Sequence, residues 1–330
     1  MRLGGVALVG AALILAGAAG VLWWRVRPIG SGEARTVIVR PGESARQIGE
    51  RLTEAGVLRS PDSLVLAARL RGVADRLRHG EYMFSPAQSA LDIVDMLARG
   101  EGILHRVTIP EGFTVRQIAA AVAAAGLVDH DRFLDLVLHR GRSLPVLALA
   151  ELPIDSLEGY LFPDTYALPR GLTEEEVLGG FLARFEAAVD PSIRAAARFR
   201  GLTLHQLLTV ASMIEREARV PAERPTIASV IYNRLRRGMR LEIDATVLYA
   251  VGTHKAVITA ADLAVSSPYN TYRHVGLPPG PIANPGLASI MAAAAPADTP
   301  YLYYVLRPDG SHYFSLTLQE HEEAVRRYRP

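Results

Sequence analysis

The segment ASMIEREARVPAERPTIASVIYNRL, from Ala211 to Leu235, carries two glutamates, Glu215 and Glu217, inside what otherwise reads as a buried helix. Leu204, Leu207, Leu208, Ala211, Ile214 and Ala218 recur at helical spacing and mark a core-facing stripe. Glu215 falls on that stripe, whereas Glu217 lies on nearly the opposite side of the helix, beside Val210, Met213 and Ile214. A carboxylate among apolar neighbours is costly when charged, so it pairs with a base or keeps its proton to unusually high pH. The first outcome is an ion pair with Arg216, Arg219 or Arg224 on a solvated face. The second is a general acid.

The residues that follow suit a sugar. Asn233, Asp244, Thr246, Tyr249, Tyr269, Asn270, Thr271, Tyr272 and Asn284 supply amides, hydroxyls and ring faces. Amides pair with sugar hydroxyls, flat rings cover the apolar sugar face, and a carboxylic acid of raised pKa protonates a glycosidic oxygen. Each tyrosine is equally compatible with ordinary packing, its hydroxyl satisfied internally. Other chemistries are excluded more firmly. The chain has no cysteine, which removes thiolate catalysis, cysteine-ligated zinc and disulfides. His254, His274, His312 and His321 form no HExxH or other ligand pair at helical spacing, so no metal site is expected. There is no GxSxG, no phosphate loop, and Ser212-Met213-Ile214-Glu215 lacks the lysine of an SxxK pattern. No cofactor is expected either.

The elements that position these residues are legible in part. Helices are expected at about Glu174–Val189, Leu204–Arg219 and Pro225–Arg237, while Gly238 to Gly286 reads as largely irregular. Tyr301–Leu306 and His312–Ser315 flank the turn Arg307-Pro308-Asp309-Gly310 and read as a β-hairpin, and a last helix is expected over Leu318–Tyr328. Upstream, VRPGESARQIGERLTEAGVL (Val39 to Leu58) is similar to TIPEGFTVRQIAAAVAAAGLV (Thr108 to Val128), with Arg46-Gln47-Ile48 matching Arg116-Gln117-Ile118. Each reads as a short strand, a Pro/Gly turn, an N-cap at Ser44 or Thr114, and a helix ending at glycine. Helices at Pro61–Leu70 and Ala90–Arg99 complete the first unit, and Asp131–His139 follows the second. Such units resemble LysM-like carbohydrate-binding modules, and a domain that serves only packing is the equal alternative.

The chain's 330 residues allow about two domains, and a net charge of +2 suggests no nucleic-acid surface. From Leu3 to Trp24 the sequence carries no charge over a length close to the roughly 20 residues that span a bilayer. Trp23, Trp24, Arg25 and Arg27 suit a membrane interface and favour an uncleaved anchor over a signal peptide. Counting arginines alone would leave the large domain in the cytoplasm.

SMIERE, AERPTIASVIYNRLRRGMRLEIDATVLYAVG, SSPYNTYRHVGLPPGPIANPG, PADTPYLYYV and EGYLFPDTY together resemble the MltG (YceG-like) family of endolytic murein transglycosylases, over nearly the whole chain. The resemblance implies an α+β chain: residues 1–27 a short cytoplasmic end and transmembrane helix, 28–105 a LysM-like module, and 106–330 a mixed helical/β catalytic domain. Within the last, 106–145 is a second LysM-like strand–helix unit. It implies a single-pass inner-membrane anchor with the bulk of the protein periplasmic, against the arginine count. It also implies cleavage of nascent glycan strands between N-acetylmuramic acid and N-acetylglucosamine, leaving a 1,6-anhydro end. The family's acid, the second glutamate of its Glu-x-Glu motif, corresponds to Glu217. Glu215 then becomes a structural carboxylate paired with an arginine of the following helix. Asn233, Asn270 and Tyr272 are expected to hold substrate groups, and Asp244 is either a second acid or a cap of the IDAT turn. The Tyr269–Pro285 segment is expected to wall the groove above Glu217. Peptidoglycan strands, the membrane and peptidoglycan synthases are the implied partners. A membrane-tethered glycan-binding scaffold and a hydrolytic muramidase are the alternatives.

Overall fold

The computed structural model describes residues 19–144, 152–252 and 258–328, together with residues 13, 16 and 17. The chain is α+β: helices dominate, and among the described residues the strands pair in twos. It forms two compact units. The first comprises residues up to Arg106 with Gly126–Val128 and Ala167–Thr173; the second comprises Val107–Ala125, Asp129–Tyr166 and Glu174 onward. Most of the charge-free stretch Leu3–Trp24 lies outside the described residues. Among the described residues no helix is long and apolar enough to cross a membrane.

In the first unit β1 (Arg35–Val39) runs antiparallel to β2 (Gly80–Phe84), with Val37 opposite Tyr82. Val37 and Val39 are buried while Thr36 and Ile38 are exposed, the period-two pattern of a strand with one covered face. That face meets Ile48 and Leu52 of α1 (Ala45–Glu54), Leu64 of α2 (Pro61–Arg71), and Ile93 and Leu97 of α3 (Ala90–Arg99) in a single core. Ser44 opens α1 with a reciprocal capping box to Gln47, and Gly56 leaves it at φ 71°. Gly49 lets α1 lie close to α2, since a Cβ there would sit 2.6 Å from the Pro61 carbonyl oxygen.

The same local design recurs further along. After β3 (His105–Thr108), which pairs with β4 (Thr165–Leu168), Thr114 forms a capping box with Gln117 to open α4 (Val115–Ala124), and Gly126 exits at φ 70°. Ile48 and Ile118, at matching positions, are both buried.

The second unit continues with α5 (His130–His139), α6 (Glu174–Ala188) and α7 (Pro191–Phe199), and is organised around α8 (Leu204–Glu217). Every residue of α8 from Leu207 to Ile214 is buried, Val210 and Met213 included, so the helix has no solvated face over this stretch. It is surrounded by α7, α9 (Arg224–Arg236), α10 (Asp244–Val251) and α12 (Leu287–Ala294). The segment expected to be irregular thus contains α10 and the short α11 (Ala260–Leu263). These, α7 and α12 escape the pattern because they are short or, like LASIMAAA, carry no polar face to set a period. The hairpin forms as expected, β5 (Tyr303–Leu306) against β6 (His312–Ser315), with α13 (Leu318–Tyr328) packed on both strands.

Candidate active site

Helix α8 carries both glutamates, and its ends explain their different fates. Thr203 opens it with a capping box to Gln206. Ala218, at ψ 118°, leaves the helical conformation, so Glu217 is the last helical residue and sits at the negative end of the helix dipole. Two residues earlier the side chain is enclosed. Glu215 is largely buried, 3.4 Å from Arg224 at the start of α9, and its Oε2 accepts the Gly286 N–H at 2.9 Å. The expected pairing with the following helix is therefore present, as an enclosed ion pair rather than a solvated one.

Glu217 instead lines a cleft of about 590 Å³. The Tyr304 hydroxyl donates to Glu217 Oε2 at 3.0 Å, and the Tyr272 hydroxyl donates to Asp244 Oδ1 at 2.5 Å. Burial pushes both phenols well above their ordinary ionisation range, and the negative charges of Glu217 and Asp244 add to it in each case. Two carboxylate–phenol pairs thus share one cavity, which Glu242 and Tyr303 also line. Buried Arg234 braces its back wall: Nε donates to Leu302 O, Nη1 to Arg240 O and Leu241 O, and the guanidinium lies 4.8 Å from the Tyr303 ring centroid. Glu242 takes a left-handed φ of 53°, a strained conformation for a side-chain-bearing residue, immediately before the chain delivers Asp244 to the cleft.

The sequence-derived site residues divide sharply. Asp244 and Tyr272 join Glu217 in the cleft. Asp244 is the first residue of α10, whose N-cap position is held by Ile243, and its Oδ1 accepts from the Tyr272 hydroxyl. Asn233, Thr246, Tyr249, Tyr269, Asn270 and Asn284 do not line the cleft. Asn233 donates to Thr299 O and Tyr301 O, and Asn270 donates to Leu263 O and Val265 O. Asn284 accepts from Gly159 N and Leu161 N and donates to Phe113 O and Glu158 Oε1. Thr246 bonds Ile243 O and the Thr271 hydroxyl, and Tyr249 packs on Tyr269 with ring centroids 5.0 Å apart. Buried polar groups must be satisfied, and in an irregular chain the nearest partners are loop carbonyls and amides. These residues are clamps of the fold. Of the Tyr269–Pro285 segment, only Tyr272 reaches the cleft; the end of α8, α9, the Leu241–Ala245 stretch, β5, His312 and α13 supply most of the rest of the wall.

Two residues that carry weight here were not singled out by sequence reasoning. Tyr304 stands in the quoted string PADTPYLYYV, but nothing local distinguishes it from Tyr301 and Tyr303. Glu158, in the EGYLFPDTY loop, is buried and accepts from Val115 N, Asn284 Nδ2 and the Tyr249 hydroxyl. Burial pushes its pKa up to about 8 despite those donors.

Comparison with known proteins agrees with this architecture. Over 299 residues the chain is 34% identical to the endolytic murein transglycosylase of Bacillus subtilis strain 168, covering 87% of this chain and 82% of that one. It is 31% identical over 322 residues to the endolytic murein transglycosylase of Streptococcus pneumoniae serotype 2 strain D39, covering 88% of this chain and 57% of that longer one. A crystal structure of a yceG-like protein from Listeria monocytogenes superposes with a TM-score of 0.60 at 32% identity, covering 89% of this chain and all of that one. With residues 37–327 matching it as well, the chain belongs to the YceG-like family.

Proposed function

We propose that this protein is an endolytic peptidoglycan lytic transglycosylase in which Glu217 is the sole acid/base. The observation that carries the proposal is Glu217 itself: a carboxyl at the C-terminal end of a buried helix, lining a cleft, with Oε2 bonded to a phenol. Donation to a glycosidic oxygen requires that Glu217 carry its proton when the substrate binds.

Protonated Glu217 gives its proton to the oxygen bridging N-acetylmuramic acid and N-acetylglucosamine. The bond from the muramic anomeric carbon to that oxygen breaks, its electron pair leaves with the oxygen, and positive charge develops on the muramic ring. The Glu217 carboxylate then takes the proton of the ring's own C6 hydroxyl, whose oxygen bonds to the anomeric carbon. No water is consumed, and no second catalytic carboxylate at retaining or inverting separation is required. Asp244, held by Tyr272 in the same cleft, would add its negative charge to stabilisation of the developing cation.

The uncleaved anchor over Leu3–Trp24, a LysM-like role for the amino-terminal unit, a periplasmic catalytic unit and association with peptidoglycan synthases belong to the same proposal. Product analysis tests its centre. Purified protein incubated with uncrosslinked glycan strands is expected to release internal fragments ending in 1,6-anhydro-muramic acid. Reducing muramic ends would mark a hydrolase, and intact strands a binding scaffold.

A further inference from the structure

We infer that Tyr304 is a positioning residue for Glu217: its phenol selects which carboxyl oxygen carries the proton and sets the pH at which the acid gives it up. The inference rests on Glu217 being the acid proposed above. A phenol has one proton to donate, and Tyr304 gives it to Glu217 Oε2 at 3.0 Å. That bond stabilises the ionised carboxyl and leaves the proton of the neutral acid to the other oxygen. The donor persists across the working range, because burial, then the charge of Glu217, hold the Tyr304 phenol protonated well above its ordinary range.

Tyr304 is held by a different element from the one that carries Glu217. It stands on β5 opposite Phe314 of β6, with its ring edge-on to the His312 imidazole, 5.4 Å between centroids at 85°. Glu223 fixes that imidazole, accepting the His312 backbone N–H at 3.0 Å and lying 2.6 Å from Nδ1. The hairpin therefore sets the aim of the phenol. The other charged or titratable groups lining the cleft are Arg216 and Arg219 beside the acid, Arg234 of α9, Glu242, Asp244 of α10, Tyr272, Tyr303 of β5, His312 of β6 and His321 of α13. Two of these have other tasks: Tyr272 donates to Asp244, and Arg234 to backbone carbonyls and Glu242. Tyr304 is the phenol that answers to Glu217.

The experiment is kcat and KM against pH for the purified full chain in detergent, on uncrosslinked glycan strands. It compares wild type with Tyr304→Phe, Tyr304→3-fluorotyrosine and Glu217→Gln. Removing a hydrogen bond to the charged form should move the alkaline limb of the kcat profile up by about one pH unit in Tyr304→Phe, with KM within about twofold. Fluorotyrosine, a stronger donor of nearly the same shape, should move the limb down. A limb that stays put in the folded Tyr304 variants overturns the inference, however much turnover falls. Should Tyr304→Phe fail to fold, the fluorotyrosine protein decides alone. If Glu217→Gln keeps its turnover, the acid is misassigned and the inference falls with it. If Glu217→Gln is dead while the limb does not move, the acid stands and the role of Tyr304 is refuted.

Discussion

At the scale of single residues, three glutamates of one unit meet three different environments, and chemistry follows environment. Glu217 ends a helix in a cleft, Glu215 is enclosed with Arg224, and Glu158 is buried among neutral donors. Glu217→Gln keeps the shape but cannot deliver a proton. Turnover on purified, folded protein should fall by about 10²- to 10⁴-fold, since general acid–base catalysis is worth that much and one group serves both transfers. Glu215→Gln removes the enclosed carboxylate 3.4 Å from Arg224 and should cost about 3 kcal/mol in urea unfolding. If folded Glu215→Gln is the dead variant and Glu217→Gln turns over normally, the roles are reversed. Glu158 makes a prediction about pH. Its pKa is about 8 in the folded chain against 4.5 for the ordinary group, so the native state holds a proton that the unfolded state has lost. Its contribution to stability is therefore full below about 4.5, declines as pH rises, and is lost above about 8, a change on the order of a few kcal/mol. Glu158→Gln, neutral at every pH, should match wild type near pH 5 and exceed it near pH 8.5. Parallel melting curves for the two proteins across that range would rule this out.

At the scale of elements, caps and close approaches set the geometry. The capping boxes at Ser44, Thr114 and Thr203 start three helices by the same reciprocal pair of bonds. At Thr203 the box helps fix the start of the helix that ends at Glu217. Close packing reverses a propensity rule at Gly49. In the interior of α1 an exchange to alanine would ordinarily stabilise by about 1 kcal/mol. Here the added Cβ would lie 2.6 Å from the Pro61 carbonyl oxygen and 2.9 Å from its Cα, so backbone must move. Gly49→Ala should destabilise the first unit by about 1–3 kcal/mol, the usual penalty of overpacking. A variant that melts higher than wild type would show that α1 and α2 have room to separate.

At the scale of the whole molecule, the proposed activity requires the catalytic unit to face peptidoglycan. The charge-free stretch Leu3–Trp24 and the tryptophan pair that ends it argue for a membrane anchor, while the arginine distribution argues for the opposite orientation. Protease added to spheroplasts should therefore degrade the large domain. Complete protection, lost only on lysis, would return that domain to the cytoplasm.

What the sequence determined by itself were the features coded locally. Capped helices such as Ala90–Arg99, the hairpin around Arg307–Gly310, the repeated strand–turn–helix design and the pair of glutamates at one helix end are all readable from spacing. Each rests on neighbours a few residues away, where period and cap chemistry suffice. The tertiary structure decided which polar groups are free to act. Asn233, Asn270 and Asn284 have the composition of a sugar site, yet their hydrogen-bonding capacity is taken up by carbonyls and amides as distant as Gly159 from Asn284. Tyr304 looks like its neighbours until the hairpin brings it within 3.0 Å of Glu217, 87 positions away in the chain. Burial likewise separates Glu158 from other acids, and it depends on what packs around the loop rather than on the loop's own letters. Periodicity reports which way a side chain points. Only the packed chain reports what it meets there.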